Sequence, residues 1–487
     1  MLTLRLIRSV MAIAASLLLT AAASAEQPLS FSTKQLTEDF NALYLGLANA
    51  HYDLYANRSK SEYDALFEKT KECLKAPMTR HEAGVLFQEF VAFGNVAHAR
   101  IEYDRAPYED YRSADGETFP VYLRIVEGRA YVARDLSKNK ELSPGSEILS
   151  INGKSMTFWL ERTARHVSAD TPYIAHSLLE YWFPMYLWHE LGAVDQFSLV
   201  VAQNDTEPVT IQIEAQTSDA MQAASKALNE SFELDSTTRI AKLLDDDVAY
   251  LRPGPFYNVE EPEKPWDNSA FVSFIDDAFE SFIERKTTKL IIDLRQNPGG
   301  DNSFSDVLVA WFADSPFRFS SRFHIRSSAH ARASNQLRLD SNPGMTEGPS
   351  VFFAERYAKV PYGETFEYPI PETEPRDGTR FRGRVFVLID RHSYSNAVSV
   401  AALVQDYDFG VILGEKTSDM ATTYGAMETF SLPNTELVVG FPKAHIIRPS
   451  GDAHPDGVTP DVLIRSPIIP SETDIVLEEA LDHIKQF

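Results

Sequence analysis

Residues Val385 to Asp406, VFVLIDRHSYSNAVSVAALVQD, constrain the fold of this 487-residue chain more than any other stretch. The apolar, β-branched run Val385 to Ile389 stops at a polar turn. Directly after Ser395 and Asn396 a segment that is apolar on every side runs from Ala397 to Val404. All-round apolarity predicts a buried helix, so the stretch reads as buried strand, turn, buried helix. Ser395 stands where the helix dipole and unpaired backbone N–H groups meet. Two readings are compatible with that position. The serine caps a core helix, or it attacks a carbonyl whose developing negative charge the helix end stabilises.

The α/β alternation extends over residues 248–487. Phe271, Phe274, Ile275, Ala278, Phe279, Phe282 and Ile283 form one face of a helix, and the strand Lys289 to Leu294 follows. Asn297 to Asp301, NPGGD, is a tight turn before a helix through Phe304, Val307, Leu308, Trp311 and Phe312. Paired glycines let backbones approach closely and leave N–H groups uncovered. The stretch Phe317 to Phe381 is polar and proline-bearing with little periodicity, which predicts a long mobile loop over the active cleft.

Residues 30–105 read as helical, with capping boxes at Ser32/Gln35, Ser59/Glu62 and Thr79/Glu82. Residues 118–216 read as β, with turns at Glu127-Gly128, Asn152-Gly153 and Asn204-Asp205. An aromatic helical insertion between the strands carries Tyr173, Tyr181, Trp182, Phe183, Tyr186 and Trp188, for which core packing is the expectation. Residues 217–247, ending Asp245-Asp246-Asp247, read as a connecting helix and linker.

Residues 1–25 read as a secretory signal peptide. Arg5 and Arg8 precede the apolar run Val10 to Leu19, and Ala23-Ser24-Ala25 supplies a cleavage site. The run is too short for a membrane span and no later stretch is long enough, so a soluble exported protein, periplasmic or secreted, is expected. The net charge of −24 argues against nucleic acid and anionic membrane partners. The single cysteine, Cys73, falls on the helical spacing of Tyr63, Leu66, Phe67, Thr70 and Leu74 and is expected to be a buried thiol. The histidines are scattered without metal-ligand spacing and no phosphate-binding glycine loop occurs, so no metal and no cofactor are implied. Nothing in the pattern specifies an oligomeric state.

Three motifs occur in order: LIIDLRQNPGGD, then SYSNAVSVAALVQDYDFGVILGEKT, then GVTPDV at Gly457 to Val462. Together they resemble the tail-specific, or C-terminal processing, serine peptidases. GSEILSING (Gly145 to Gly153) is similar to the PDZ-like domain of that family, and the segment ending VAHARI to its N-terminal cap. The resemblance implies a crotonase-like ββα spiral catalytic domain at 248–487, a PDZ-like β domain with a helical insertion at 118–216, and an N-terminal helical cap at 30–105. It also implies protein or peptide substrates.

By position the family nucleophile falls on Ser395, with Ser393 and Ser399 as local rivals. The N–H groups of Asn396 and of Gly299 or Gly300 would form the oxyanion hole. A lysine base about 25 residues beyond the serine would fall on Met420, while Lys416 belongs to GEKT. The resemblance therefore runs nearer the tricorn-like branch, where a histidine ahead of the PDZ-like domain is the base. His98 holds that place, and a near-neutral imidazole suits the task. Asp456 is a candidate acid partner, and His392 a further candidate base. The alternative is a peptide- or ligand-binding protein that keeps the fold without the chemistry.

Overall fold

The computed structural model describes residues 30–101, 105–203, 207–227, 232–245 and 247–486. The signal segment 1–25, the Asn204-Asp205 turn and Asp246 therefore lie outside the described residues.

Among the described residues three sheets organise the fold, and the central one carries the strand–turn–helix unit. Its strands run, edge to edge, Val462–Leu463, Val411–Gly414, Arg384–Ile389, Lys289–Asp293, Val248–Arg252 and Ile240–Leu243. All neighbours are parallel except the last pair, which is antiparallel. The sheet thus begins at Ile240, inside the stretch that reads as a linker. Helices Ser269–Glu284, Asn302–Ala310 and Asn396–Asp406 fill one face, with Phe271, Ile275, Phe279, Leu308 and Val398 to Val404 in the core except Ser399. Helix Ile475–Ile484 covers the other face. Both faces being buried explains why Leu290 to Ile292 and Val385 to Ile389 are apolar without alternation.

A second sheet joins distant parts of the chain. Its main order is Arg100–Ile101, Val438–Ile447, Arg322–Arg326 and Thr365–Glu367, with Thr423–Ser431 also pairing to Val438–Ile447. The helices Thr33–Ala50, Lys60–Lys71 and Arg80–Ala92, opened by all three expected capping boxes, pack on this sheet. Residues 317–381 differ from the expected mobile loop. They contain two strands and the helices Ala329–Asp340 and Pro349–Lys359, and Phe323, Ile325, Phe353, Tyr357 and Phe366 enter the same core. Their apolar residues are few and lie in short elements, so the polar average hides a face that a neighbouring sheet buries. Cys73 also departs from expectation. It sits just past the end of Lys60–Lys71 and is exposed, while the next residue, Leu74, turns inward.

The third sheet is antiparallel, in the order Val121–Val126, Arg129–Asp135, Glu147–Ile151, Gln196–Ala202, Val209–Glu214, with Lys154–Ser155 pairing to Glu147–Ile151. Its turns at Glu127-Gly128 and Asn152-Gly153 have both central residues at positive φ, the two-residue hairpin geometry expected of them. Helices Met156–Ala164 and Pro172–Leu191 form the insertion, and Trp159, Leu179, Phe183 and Leu187 fill the core beneath.

Candidate active site

The turn between strand Arg384–Ile389 and helix Asn396–Asp406 is held by its own side chains. The Asp390 carboxylate accepts the N–H of His392 and of Gln296, each at 3.0 Å. Ser393 is fully buried, accepts the Asp390 N–H at 3.1 Å and donates to the Leu294 carbonyl at 2.8 Å. Ser393 is therefore committed to the turn. Ser395 is at the N-cap position, yet its side chain makes no capping hydrogen bond, and its backbone is at φ 52°, ψ −122°. A side chain at that positive φ is strained. A sharp strand-to-helix turn of this kind raises a serine hydroxyl clear of the sheet. Asp419 supports the conformation, its Oδ2 accepting the Ser395 N–H at 2.6 Å. Burial pushes the Asp419 carboxyl up to about 6.

The glycine turn meets this junction directly. The Tyr394 N–H donates to the Asn297 carbonyl at 2.9 Å. A methyl group on Gly299 would lie 2.6 Å from the Tyr394 carbonyl oxygen, 2.7 Å from the Asn396 nitrogen and 2.9 Å from Ser395 Cβ. Only glycine allows that approach. The Gly299 N–H is already taken by Asn297 Oδ1 at 2.9 Å, and the Asn297 amide also holds the Gly254 carbonyl at 2.8 Å. Among the described residues, the N–H groups of Gly300 and Asn396 have no acceptor in the protein. Asn396 is fixed through its side chain, which donates to Ser305 Oγ at 2.8 Å. Two free donors beside a serine are what a developing oxyanion requires.

His98 reaches the same place from the other end of the chain. Its ring stacks on the ring of Tyr394, centroids 5.6 Å apart and planes at 22°. It is 8% exposed, and burial holds its imidazole below the ordinary range. His98 Nδ1 is buried without a partner among the described residues. Beside it stands Asp170, whose Oδ2 accepts the Ala97 N–H at 3.0 Å. Burial, then the neighbouring Asp419 charge, raises the Asp170 carboxyl.

The other candidates have separate engagements. Lys416 pairs with Asp456 at 2.6 Å, and both side chains are largely exposed, at 40% and 52%. The structure brings Asp456 to Lys416 rather than to His98. His392 Nε2 lies 3.0 Å from Glu180 Oε2, and its Nδ1 lies 2.8 Å from Ser177 Oγ. It belongs to a buried set of charges in which Arg391 meets Glu180 and Glu415, each at 3.2 Å, and Arg124 meets Glu180 at 2.8 Å. This set joins the third sheet to the serine turn. Burial alone would raise Glu180, but His392, Arg124 and Arg391 outweigh it and hold the carboxyl at about 2.

Residues 263–464, which contain both turns, match the family model described as Peptidase family S41. The chain carries a serine-type peptidase domain of family S41. No curated protein matches in sequence. Among solved structures, mature CPAF complexed with lactacystin is 16% identical with a TM-score of 0.61, over 93% of this chain and 98% of that one. Mature CPAF alone gives 15% identity and the same TM-score, over 93% and 96%. A photosystem II D1 C-terminal processing protease gives 16% identity and a TM-score of 0.42, over 88% and 93%. The CPAF likeness shows a shared mixed α/β fold that extends beyond the S41 domain to nearly the whole chain.

Sequence reasoning passed over Asp170 and Asp419. Asp419 lies in GEKTSD, one residue before the Met420 reached by counting from the serine, and a count that seeks a lysine does not single it out. Asp170 immediately precedes Thr171, the N-cap of the long helix, and reads there as an ordinary polar turn residue.

Proposed function

We propose that the S41 domain hydrolyses peptide bonds through an acyl-enzyme on Ser395, with His98 as general base and Asp170 as the group that orients it. The observation that carries this reading is the stacking of His98 on Tyr394, the residue before the serine. In the reaction, the neutral His98 imidazole takes the Ser395 proton as Oγ attacks the substrate carbonyl. The resulting oxyanion is received by the N–H groups of Gly300 and Asn396. His98 then returns its proton to the leaving amine, and water repeats the sequence to release the acyl group. His98 Nδ1, buried and unpaired, is the atom that Asp170 would hold, fixing the ring's tautomer. Lys416 is a poor base because its charge is satisfied by Asp456 in a solvated position, and activation of a lysine needs burial.

The third sheet, with its GSEILSING hairpin, is on this reading a PDZ-like module that presents peptide to the cleft. The protein is exported after cleavage behind Ala25, so that mature material begins at Glu26 by mass spectrometry; a retained Met1 in exported protein would refute this. The nucleophile is tested with a fluorophosphonate probe and an unfolded protein substrate. Wild type should be labelled once, on Ser395, and Ser395→Ala should neither label nor hydrolyse. Equal hydrolysis by both proteins would end the assignment.

A further inference from the structure

Glu89, His166 and Glu190 are far apart in sequence but converge in space, their ligand atoms all within 4.8 Å of one another. Glu89 comes from helix Arg80–Ala92, His166 from the turn after Met156–Ala164, and Glu190 from helix Pro172–Leu191. His166 is 3% exposed, and its Nε2 lies 2.7 Å from Glu190 Oε1. Its ring is clamped flat on Tyr186, the planes 6° apart, so the imidazole is already oriented. The other Glu190 oxygen is held by Arg162 Nε. Further imidazole surrounds the group: the His189 ring is 6.0 Å from His166 and 5.0 Å from the ring of His81.

We propose that Glu89, His166 and Glu190 bind a divalent transition-metal ion, for which Zn²⁺ is the best chemical match. One imidazole and two carboxylates give three nitrogen and oxygen ligands, and a water completes a tetrahedron. Ligands about 2.1 Å from the ion stand roughly 3.4 Å from one another, which small side-chain rotations reach from the observed spacing. The imidazole disfavours Mg²⁺ and Ca²⁺, which prefer all-oxygen shells. With His166 neutral, the two carboxylates and Arg162 leave a net charge of −1 to attract the cation. Arg162 then acts behind Glu190 as an outer partner that fixes the ligating carboxylate.

The ion would tie the N-terminal helices to the helices of the third sheet. It would do so at the base of the segment from His166 to Asp170. Gln88, next to Glu89, already donates to Ser168 Oγ at 3.0 Å in that segment and accepts the Ile101 N–H at 2.7 Å. Occupancy would therefore stiffen the segment that brings Asp170 to His98. This last consequence rests on the catalytic reading above; the binding itself does not.

The test uses tag-free full-length mature protein carrying Ser395→Ala, stripped with EDTA, dialysed and titrated with ZnCl₂ by calorimetry. One saturable equivalent is expected, with a higher melting temperature when bound and no saturable response to MgCl₂. His166→Ala opens a buried site and is open to misfolding, so the deciding variants are Glu89→Gln and Glu190→Gln, which keep size and shape. Each should weaken binding by about tenfold or more and remove the thermal shift, while Cys73→Ser, removing the exposed thiol, should change neither. No saturable Zn²⁺ binding by the parent protein, or binding undiminished by both glutamine variants, would overturn the proposal. Both readouts, calorimetry and melting, are independent of activity, so neither result depends on whether Ser395 is the nucleophile.

Discussion

The Tyr394 ring lies face to face with the His98 imidazole, 5.6 Å between centroids, so the residue before the proposed nucleophile contacts the proposed base. His98 should therefore be indispensable to hydrolysis and Lys416 should not. We expect His98→Ala to lower kcat/KM on an unfolded protein substrate by about 10²- to 10⁴-fold, with an unchanged circular dichroism spectrum. Lys416→Ala, which frees Asp456 at the surface, should stay within about threefold of wild type, since exposed ion pairs contribute little. An active His98→Ala enzyme beside an inactive Lys416→Ala enzyme would reverse the assignment.

The pH profile should carry the mark of a buried imidazole. Burial disfavours protonated His98, Arg100 adds to that effect, and Asp170 opposes it. The neutral ring is the base, so kcat/KM should fall as pH drops through a value on the acid side of the ordinary imidazole pKa of about 6.5. Asp170→Asn removes the opposing anion. The limb should then move to still lower pH while kcat falls, a combination that simple loss of packing would not produce. The same burial makes the unfolded chain take up the His98 proton more readily than the native one, so its effect on stability is adverse below about pH 6.5 and disappears above it.

Gly299 and Gly300 should tolerate no side chain, for different reasons. A Cβ on Gly299 collides with the Tyr394 carbonyl and the Asn396 nitrogen, and one on Gly300 would stand 2.1 Å from the Phe256 carbonyl oxygen. Gly299→Ala should displace the Asn396 N–H and lower kcat by about 10²- to 10³-fold, with KM changing little. Gly300→Ala should lower kcat as well, because it moves the second oxyanion donor, and should in addition cost stability through the Phe256 backbone contact. Separate kcat, KM and urea-unfolding measurements on both variants check this.

Glu180 should be the most sensitive single charge at the junction of the third sheet and the serine turn. Glu180→Gln leaves Arg391 and Arg124 buried with one carboxylate partner fewer, and stability should fall by about 3–5 kcal/mol. Since Glu180 is held at about 2, its stabilising effect is present above its unfolded pKa of about 4.3 and lost as pH falls toward 2. Urea titrations of wild type and variant at pH 7 and pH 3 should therefore differ widely at the first and converge toward the second.

The serine turn, the glycine turn, the three capped helices and the hairpin turns at Glu127 and Asn152 were legible because each depends on residues adjacent in sequence. Ser395, Gly299 and Asn396 announce themselves through the elements they separate. Asp170 and Asp419 do not, since their significance comes from the groups that tertiary contacts bring to them. Segment 317–381 departs from the expected loop for a related reason. Period and polarity report on a segment alone, whereas Phe323, Ile325, Phe353 and Phe366 are buried by helices and a hairpin that lie elsewhere in the chain. The glycine count at Gly299 and Gly300 pointed to a backbone approach but not to which N–H remained free; that was decided by the Asn297 side chain.

The second sheet interleaves the two ends of the protein: Arg100–Ile101 pairs with Val438–Ile447, and Thr33–Ala50 packs on that same strand pair. A ribosome releases the first helices long before their partner exists. Until residues 438–447 have emerged, those helices can pack on one another, as Phe40 does on Phe87 and Phe90, but not on the strand that covers their sheet-facing side. Closure of so long a loop is entropically costly, and the pairing that holds Arg100, two residues past His98, must wait for the strand Val438–Ile447. A chain broken off early would carry the histidine in an unfinished core and the serine not at all. On the proposed mechanism, the histidine and serine sides of the cleft are thus joined only once strand Val438–Ile447 is in place.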